Sequence, residues 1–160
     1  MLRFEPLLRF QVNVTIVQIE KSIPPALDRM GYISYGYNKE RPMKFTVEFY
    51  ETADGKCPVQ DFIDSLEPKM GAKVFSMLEI LEEKGNTLRL PYSEHLGDGI
   101  FELRCKFSSN ITRTLYFFYE GATIVMTNGF VKKTQKTPPS EIDLAKRRRK
   151  DYIERKEKRK

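Results

Sequence analysis

Five basic residues in the second half of the chain are of the kinds that hold and polarise a phosphate: Arg104, Arg113, Lys132, Lys133 and Lys136. The planar fork of arginine grips two phosphate oxygens at once, and lysine supplies a compact point charge. Arg104 lies in an alternating run in which Phe101, Leu103, Cys105 and Phe107 share one face and Glu102, Arg104 and Lys106 share the other. Arg113 opens the next such run, after the turn Ser108-Ser109-Asn110. Neighbouring antiparallel strands lie about 5 Å apart, so the two guanidiniums can converge on one phosphate. Lys132 and Lys133 leave the third run on opposite sides, and Lys136 lies just before a helix start. Donors arranged this way stabilise charge that develops on a phosphate under attack. A lysine among other cations also suits proton transfer.

Each of these residues has a plainer reading. Arg104 and Arg113 can instead be salt-bridged on an exposed sheet face, Arg104 with a cross-strand acid. Phe130 is either core or a platform on which an unpaired base stacks. Tyr116 and Tyr119 have the same two readings. His95 is the only histidine, in Ser93-Glu94-His95-Leu96-Gly97, and reads first as a loop residue, with general-base work as the alternative. The run Lys146-Arg147-Arg148-Arg149-Lys150 is either a solvated helix face or, with Lys136, a nucleic-acid contact.

The elements that must position these groups follow from periodicity. Phe45, Val47 and Phe49 alternate as a first strand. Val59, Phe62, Ile63 and Leu66 fall at helical spacing behind Pro58, and Met70, Val74, Met77, Leu78 and Leu81 form a second helical stripe ended by Lys84-Gly85-Asn86. Three strands follow, over about 101–107, 112–119 and 122–130, with Glu120-Gly121 as a hairpin turn. Thr137 is expected to cap a last helix that has Pro138 in its first turn, with a Lys/Arg-rich end that frays. The order is β-αα-βββ-α. The fold class is α+β: an antiparallel sheet with two N-terminal helices packed on one face, a C-terminal helix, and the Arg104 side partly open.

Length and charge narrow the reading. The chain has 160 residues, enough for one domain with a modest core. Its net charge is +6, but residues 132–160 hold 13 Lys and Arg against 5 Asp and Glu, a net of +8, so the rest sums to −2. Such asymmetry points to nucleic acid or an acidic partner. No apolar run approaches the ~20 residues that span a membrane, and no secretory leader is visible at the first residues. Two distant cysteines, Cys57 and Cys105, read as reduced thiols of a cytoplasmic protein. With one His and two Cys no metal cluster is legible, and no cofactor is expected.

Residues 1–42 differ in character from the rest: Val12, Val14 and Ile16 alternate, then Pro24-Pro25, Gly31 and Gly36 follow without a period. Met43 runs straight into the first strand. Codons for Lys39-Glu40-Arg41 can contain AGGAG, a ribosome-binding sequence. The expectation is therefore an N-terminal extension over 1–42, either an over-extended reading of the gene or a real strand or partner-binding arm, ahead of a domain over 43–160.

From Met43 to about Tyr152 the chain resembles the RelE/HigB toxins of type II toxin–antitoxin systems, within the RelE/ParE superfamily, and most of all their phage-derived HigB-like branch. The resemblance is carried by Phe101-Glu102-Leu103-Arg104, by Arg113 with Leu115-Tyr116-Phe117, by Gly129-Phe130-Val131-Lys132-Lys133 leading through Lys136 to Pro138, and by Glu141-Ile142-Asp143-Leu144-Ala145. It implies a RelE-like fold and a ribosome-associated endoribonuclease, an mRNA interferase that inhibits translation. Its partners are then messenger RNA, the ribosome and a cognate antitoxin, commonly a helix-turn-helix protein from an adjacent gene. Arg104, Arg113, Lys132 and Lys133 stand at the implied catalytic positions, and Lys136, Lys146, Arg147, Arg148, Arg149 and Phe130 along the implied RNA path. ParE-like members of the superfamily poison DNA gyrase and cleave nothing, so fold alone does not choose between the two activities.

Overall fold

The structure is a computed structural model and describes residues 44–159. The expected extension over 1–42 and the start at Met43 lie outside the described residues. The elements are β1 (Thr46–Phe49), α1 (Pro58–Asp64), α2 (Pro68–Lys84), β2 (Ser93–Gly97), β3 (Ile100–Phe107), β4 (Asn110–Tyr119), β5 (Thr123–Val131) and α3 (Pro139–Glu157). They form the α+β arrangement that the periodicity predicts, a five-stranded sheet in the order β1-β5-β4-β3-β2.

Two details of the sheet differ from the expectation. The sheet is mixed, because β1 runs parallel to β5 while every other pair is antiparallel. The chain crosses over through α1 and α2 and returns beside β1 only after a four-strand meander. The extra strand is β2, which pairs with β3 and carries His95, so that residue lies on a strand and not in a loop.

The pleat sends alternate side chains to two cores. On one face Leu103, Cys105, Tyr116, Ile124 and Met126 meet Val59 and Ile63 of α1 and Val74, Met77, Leu78 and Leu81 of α2. On the other, Ile100, Leu115, Phe117 and Val125 meet Ala145 and Tyr152 of α3. The helices therefore cover both faces. α1 sits directly on β5: a Cβ added to Gly129 would stand 2.2 Å from Phe62 Cδ1.

The basic end of α3 is helical through Glu157, where fraying was expected, because its polar side chains reach across to other elements. Arg148 Nη1 donates to the Thr127 carbonyl at 2.8 Å, and the Tyr152 hydroxyl donates to Glu48 Oε2 at 2.7 Å. The Tyr50 hydroxyl donates to Asp151 at 2.7 Å, and Lys146 pairs with Asp98 at 2.6 Å. Burial first, and then the Glu48 carboxylate, push the Tyr152 phenol up, so it stays a donor at neutral pH.

Gly129→Ala is expected to cost about 1–3 kcal/mol, because the ring of Phe62 has to move out of its packing. A urea titration of the variant checks this, and an unchanged midpoint would contradict the close seating of α1 on β5.

Candidate nucleic-acid interface

The register of β3 and β4 sets Arg104 directly opposite Arg113, and that of β4 and β5 sets Arg113 opposite Phe130. Glu102, two residues before Arg104, projects from the same face and is fully buried. An unpaired carboxylate in that position would cost several kcal/mol. Here each of its oxygens is claimed. Arg104 Nε donates to Oε1 at 2.5 Å, and Arg113 Nη1 donates to Oε2 at 3.3 Å. The Thr137 hydroxyl also donates to Oε2 while accepting from Arg113 Nη1. Arg104 Nη2 pairs in addition with Glu94 of β2. The two arginines meet on a carboxylate, and Arg104 also pairs with the cross-strand Glu94, as the plainer salt-bridge reading has it, so the four charges balance.

Thr137 does not cap α3. The helix begins at Pro139, so the cap position falls on Pro138, which has no side-chain acceptor, and the Thr137 hydroxyl is held by the buried ion pair instead. Arg113 Nη2 donates to the Gln135 carbonyl at 2.8 Å. These bonds tie the 132–138 segment to the sheet. Arg113 is only 4% exposed, and its Nε is the one buried side-chain nitrogen or oxygen without a partner among the described residues. Burial, and then the neighbouring Arg113 charge, pull the Arg104 guanidinium below its ordinary value.

A cavity of about 430 Å³ opens where β2 ends and the edge of β3 lies bare. Its wall carries Lys73 of α2, Arg104 and Lys106 of β3, Arg113 of β4, and Lys132, and no carboxylate lines it. Among the described residues Lys73, Lys106 and Lys132 have no carboxylate partner; Lys132 Nζ reaches only the Gln135 amide oxygen, at 3.4 Å. A second cavity of about 300 Å³ shares Ile111 and Lys132 with the first and is flanked by Lys133. Lys133 and Lys136 are exposed.

The other sequence candidates divide. Phe130 packs at the rim of the α3-side core and Tyr116 is fully buried on the opposite side. Lys146, Arg148 and Arg149 are tied to Asp98 and Thr127, whereas Arg147 is exposed. His95 accepts from the Gly99 amide at 3.3 Å and lines a separate depression with Arg89 and Phe101. No group of three or more His, Cys, Asp or Glu side chains that could hold a metal ion occurs among the described residues. Sequence reasoning passed over Glu102, Glu94, Lys73 and Lys106 as site residues. The legible sign was Glu102-x-Arg104, an acid and a base on one face of one strand.

Glu102→Gln is expected to destabilise by about 3–5 kcal/mol, since it strands the buried Arg113 guanidinium and leaves Arg104 only Glu94. Glu94→Gln, at a partly solvated pair, is expected to cost under about 1 kcal/mol. Chemical denaturation of both variants checks the contrast, and equal effects would contradict the central place given to Glu102.

Comparison with known families places the molecule. A family model described as "Phage derived protein Gp49-like (DUF891)" matches residues 61–150, more than half of the chain. The matched span runs from α1 into α3 and includes Glu102, Arg104, Arg113 and the lysine segment. The search among curated proteins returned no match. Among the described residues no helix is long and apolar enough to cross a membrane. The chain belongs to the phage-derived Gp49-like family, a family of RelE/HigB-like toxins.

Proposed function

We propose that this chain is the toxin of a type II toxin–antitoxin pair and that it inhibits translation by cutting messenger RNA on the ribosome. A toxin of this family implies an antitoxin, and we take that partner to be a helix-turn-helix protein encoded next door. The observation that carries the nuclease reading is the cavity beside Arg104: five cations on its wall, three of them without a carboxylate partner, and no acid lining it. Single-stranded RNA is the polyanion that such a groove suits.

The chemistry follows from that placement. The ribose 2′-oxygen attacks the adjacent phosphorus and the bond to the 5′-oxygen breaks, leaving a cyclic phosphate and a 5′-hydroxyl. Arg104 stands on the cavity wall and takes the phosphate oxygens as their charge grows. No carboxylate lines the cavity, so the 2′-hydroxyl proton passes to water. Lys132, on the same wall, protonates the departing oxygen. Lys133 and Lys136 hold the flanking backbone. Arg113 is buried and committed to Glu102, Thr137 and Gln135, so it works by positioning Arg104 and the lysine segment. Arg147, exposed on α3, contributes longer-range attraction that salt screens.

One observation favours a different reading. Arg104 and Arg113 are already neutralised by Glu94 and Glu102, which leaves less charge for a phosphate and suits a ParE-like toxin that acts through protein contacts and leaves RNA intact. Brief induction of the full chain, with mapping of RNA ends, divides the two. The expected result is growth arrest with translated messages cut to 5′-hydroxyl ends, and restored growth for a folded Arg104→Ala variant. Arrest with intact RNA and altered DNA supercoiling would overturn the nuclease reading.

A further inference from the structure

We infer that Tyr92 and the apolar wall beside it form a subsite for one unstacked RNA base, next to the cations that hold its phosphate. The inference rests on the RNA reading of the cavity and specifies how a nucleotide lies in it.

Tyr92 is fixed at both ends of its peptide unit. Its amide donates to the Arg89 carbonyl at 3.1 Å, and its carbonyl accepts from the Arg104 amide at 2.7 Å. The second bond continues the β2–β3 ladder by one step, so Tyr92 stands across the strand from Arg104. Yet its side chain is 52% exposed, on a rigid backbone and with no hydroxyl partner among the described residues. An aromatic ring left half in water beside unpaired cations is unlike a packing residue.

The cavity lining combines two chemistries: Met77, Pro91, Tyr92 and Ile111 are apolar or aromatic, and Lys73, Lys106 and Lys132 are cationic. A nucleotide combines the same two, a flat apolar base joined to a charged phosphate. At about 430 Å³ the space lies at the small end of ligand sites, fit for one nucleotide and not for a duplex. Aromatic side chains bind single strands in this manner, by stacking on bases of any identity. A protein partner would also accept exposed Leu90, Pro91 and Tyr92, but a wall of five cations with no carboxylate favours the polyanion.

The chain contains no tryptophan, so Tyr92→Trp creates a single reporter at the subsite. The full-length variant is titrated with a 2′-O-methyl RNA oligonucleotide, which lacks the attacking hydroxyl, and with an abasic oligonucleotide of equal phosphate number. Tryptophan quenching by the first and none by the second is expected. Binding of the 2′-O-methyl oligonucleotide by Tyr92→Leu is expected to weaken roughly five- to hundredfold, the range for losing one stacked base, while Tyr92→Phe binds as the parent does. Equal response to both oligonucleotides, or wild-type affinity in Tyr92→Leu, would overturn the subsite and leave this wall as a protein contact. Quenching by the base-bearing strand without cleavage of ribosome-bound RNA would sustain the subsite and remove the nuclease.

Discussion

A buried carboxylate held between two arginines is the constraint on which the active end of this molecule depends. Glu102 has no exposure, and without its two guanidiniums it would be an uncompensated charge in a medium of low polarity. Its partners come from three places in the chain: Arg104 from its own strand, Arg113 from the next, and Thr137 from the segment after β5. Satisfying one charge therefore fixes the β3–β4 register, the path of residues 132–138 and the point at which α3 starts. Lys106 and Lys132 of the cavity are presented by backbone that this cluster ties together.

The same face of the sheet is divided between two uses. One end is covered by α3 through Ala145 and Tyr152. The other carries Glu102 and Arg113, buried under the 132–138 segment, with Arg104 half-buried and Lys106 exposed beside them. α3 keeps to its end because its polar side chains reach the Thr127 carbonyl, Glu48 and Asp98. Much of the positive charge in the last fifth of the chain is thus spent on docking a helix. Charge that looks like a binding tail in the sequence is partly internal adhesive, while Lys133, Lys136, Arg147, Lys150, Lys158 and Arg159 are exposed.

Much of the fold was legible because alternation and helical spacing report local geometry. The run Phe101 to Phe107 names its own faces, and the stripe Val74, Met77, Leu78, Leu81 is the α2 core in the structure. What escaped was set by distant partners. β2 is five residues long, with a histidine and a closing glycine, and becomes a strand only by pairing with β3. The parallel pairing of β1 depends on where β5 ends up. Thr137 has the residue type of a helix cap, but the cap position falls on Pro138 and a buried ion pair holds the Thr137 hydroxyl. In the candidate site, the two arginines and Lys132 stand out by type and spacing. Their carboxylate partners do not, since a glutamate between Phe101 and Leu103 looks like any solvent-facing strand residue until α3 and the 132–138 segment close over it.

The central claim is that the charge fixed by this cluster acts on a scissile phosphate, and does more than attract RNA. The most direct test is single-turnover cleavage on ribosomes saturated with protein, comparing Arg104→Ala with a variant neutralised at the outward-facing Arg147 and Lys150, both shown to be folded. At saturation the attraction of the helix charges no longer limits the rate. The account predicts that the helix variant cleaves at close to the wild-type rate and that Arg104→Ala is slower by roughly a hundredfold to a thousandfold, as for the loss of one donor to developing charge. A wild-type rate in Arg104→Ala would contradict it and leave the basic cavity a docking surface.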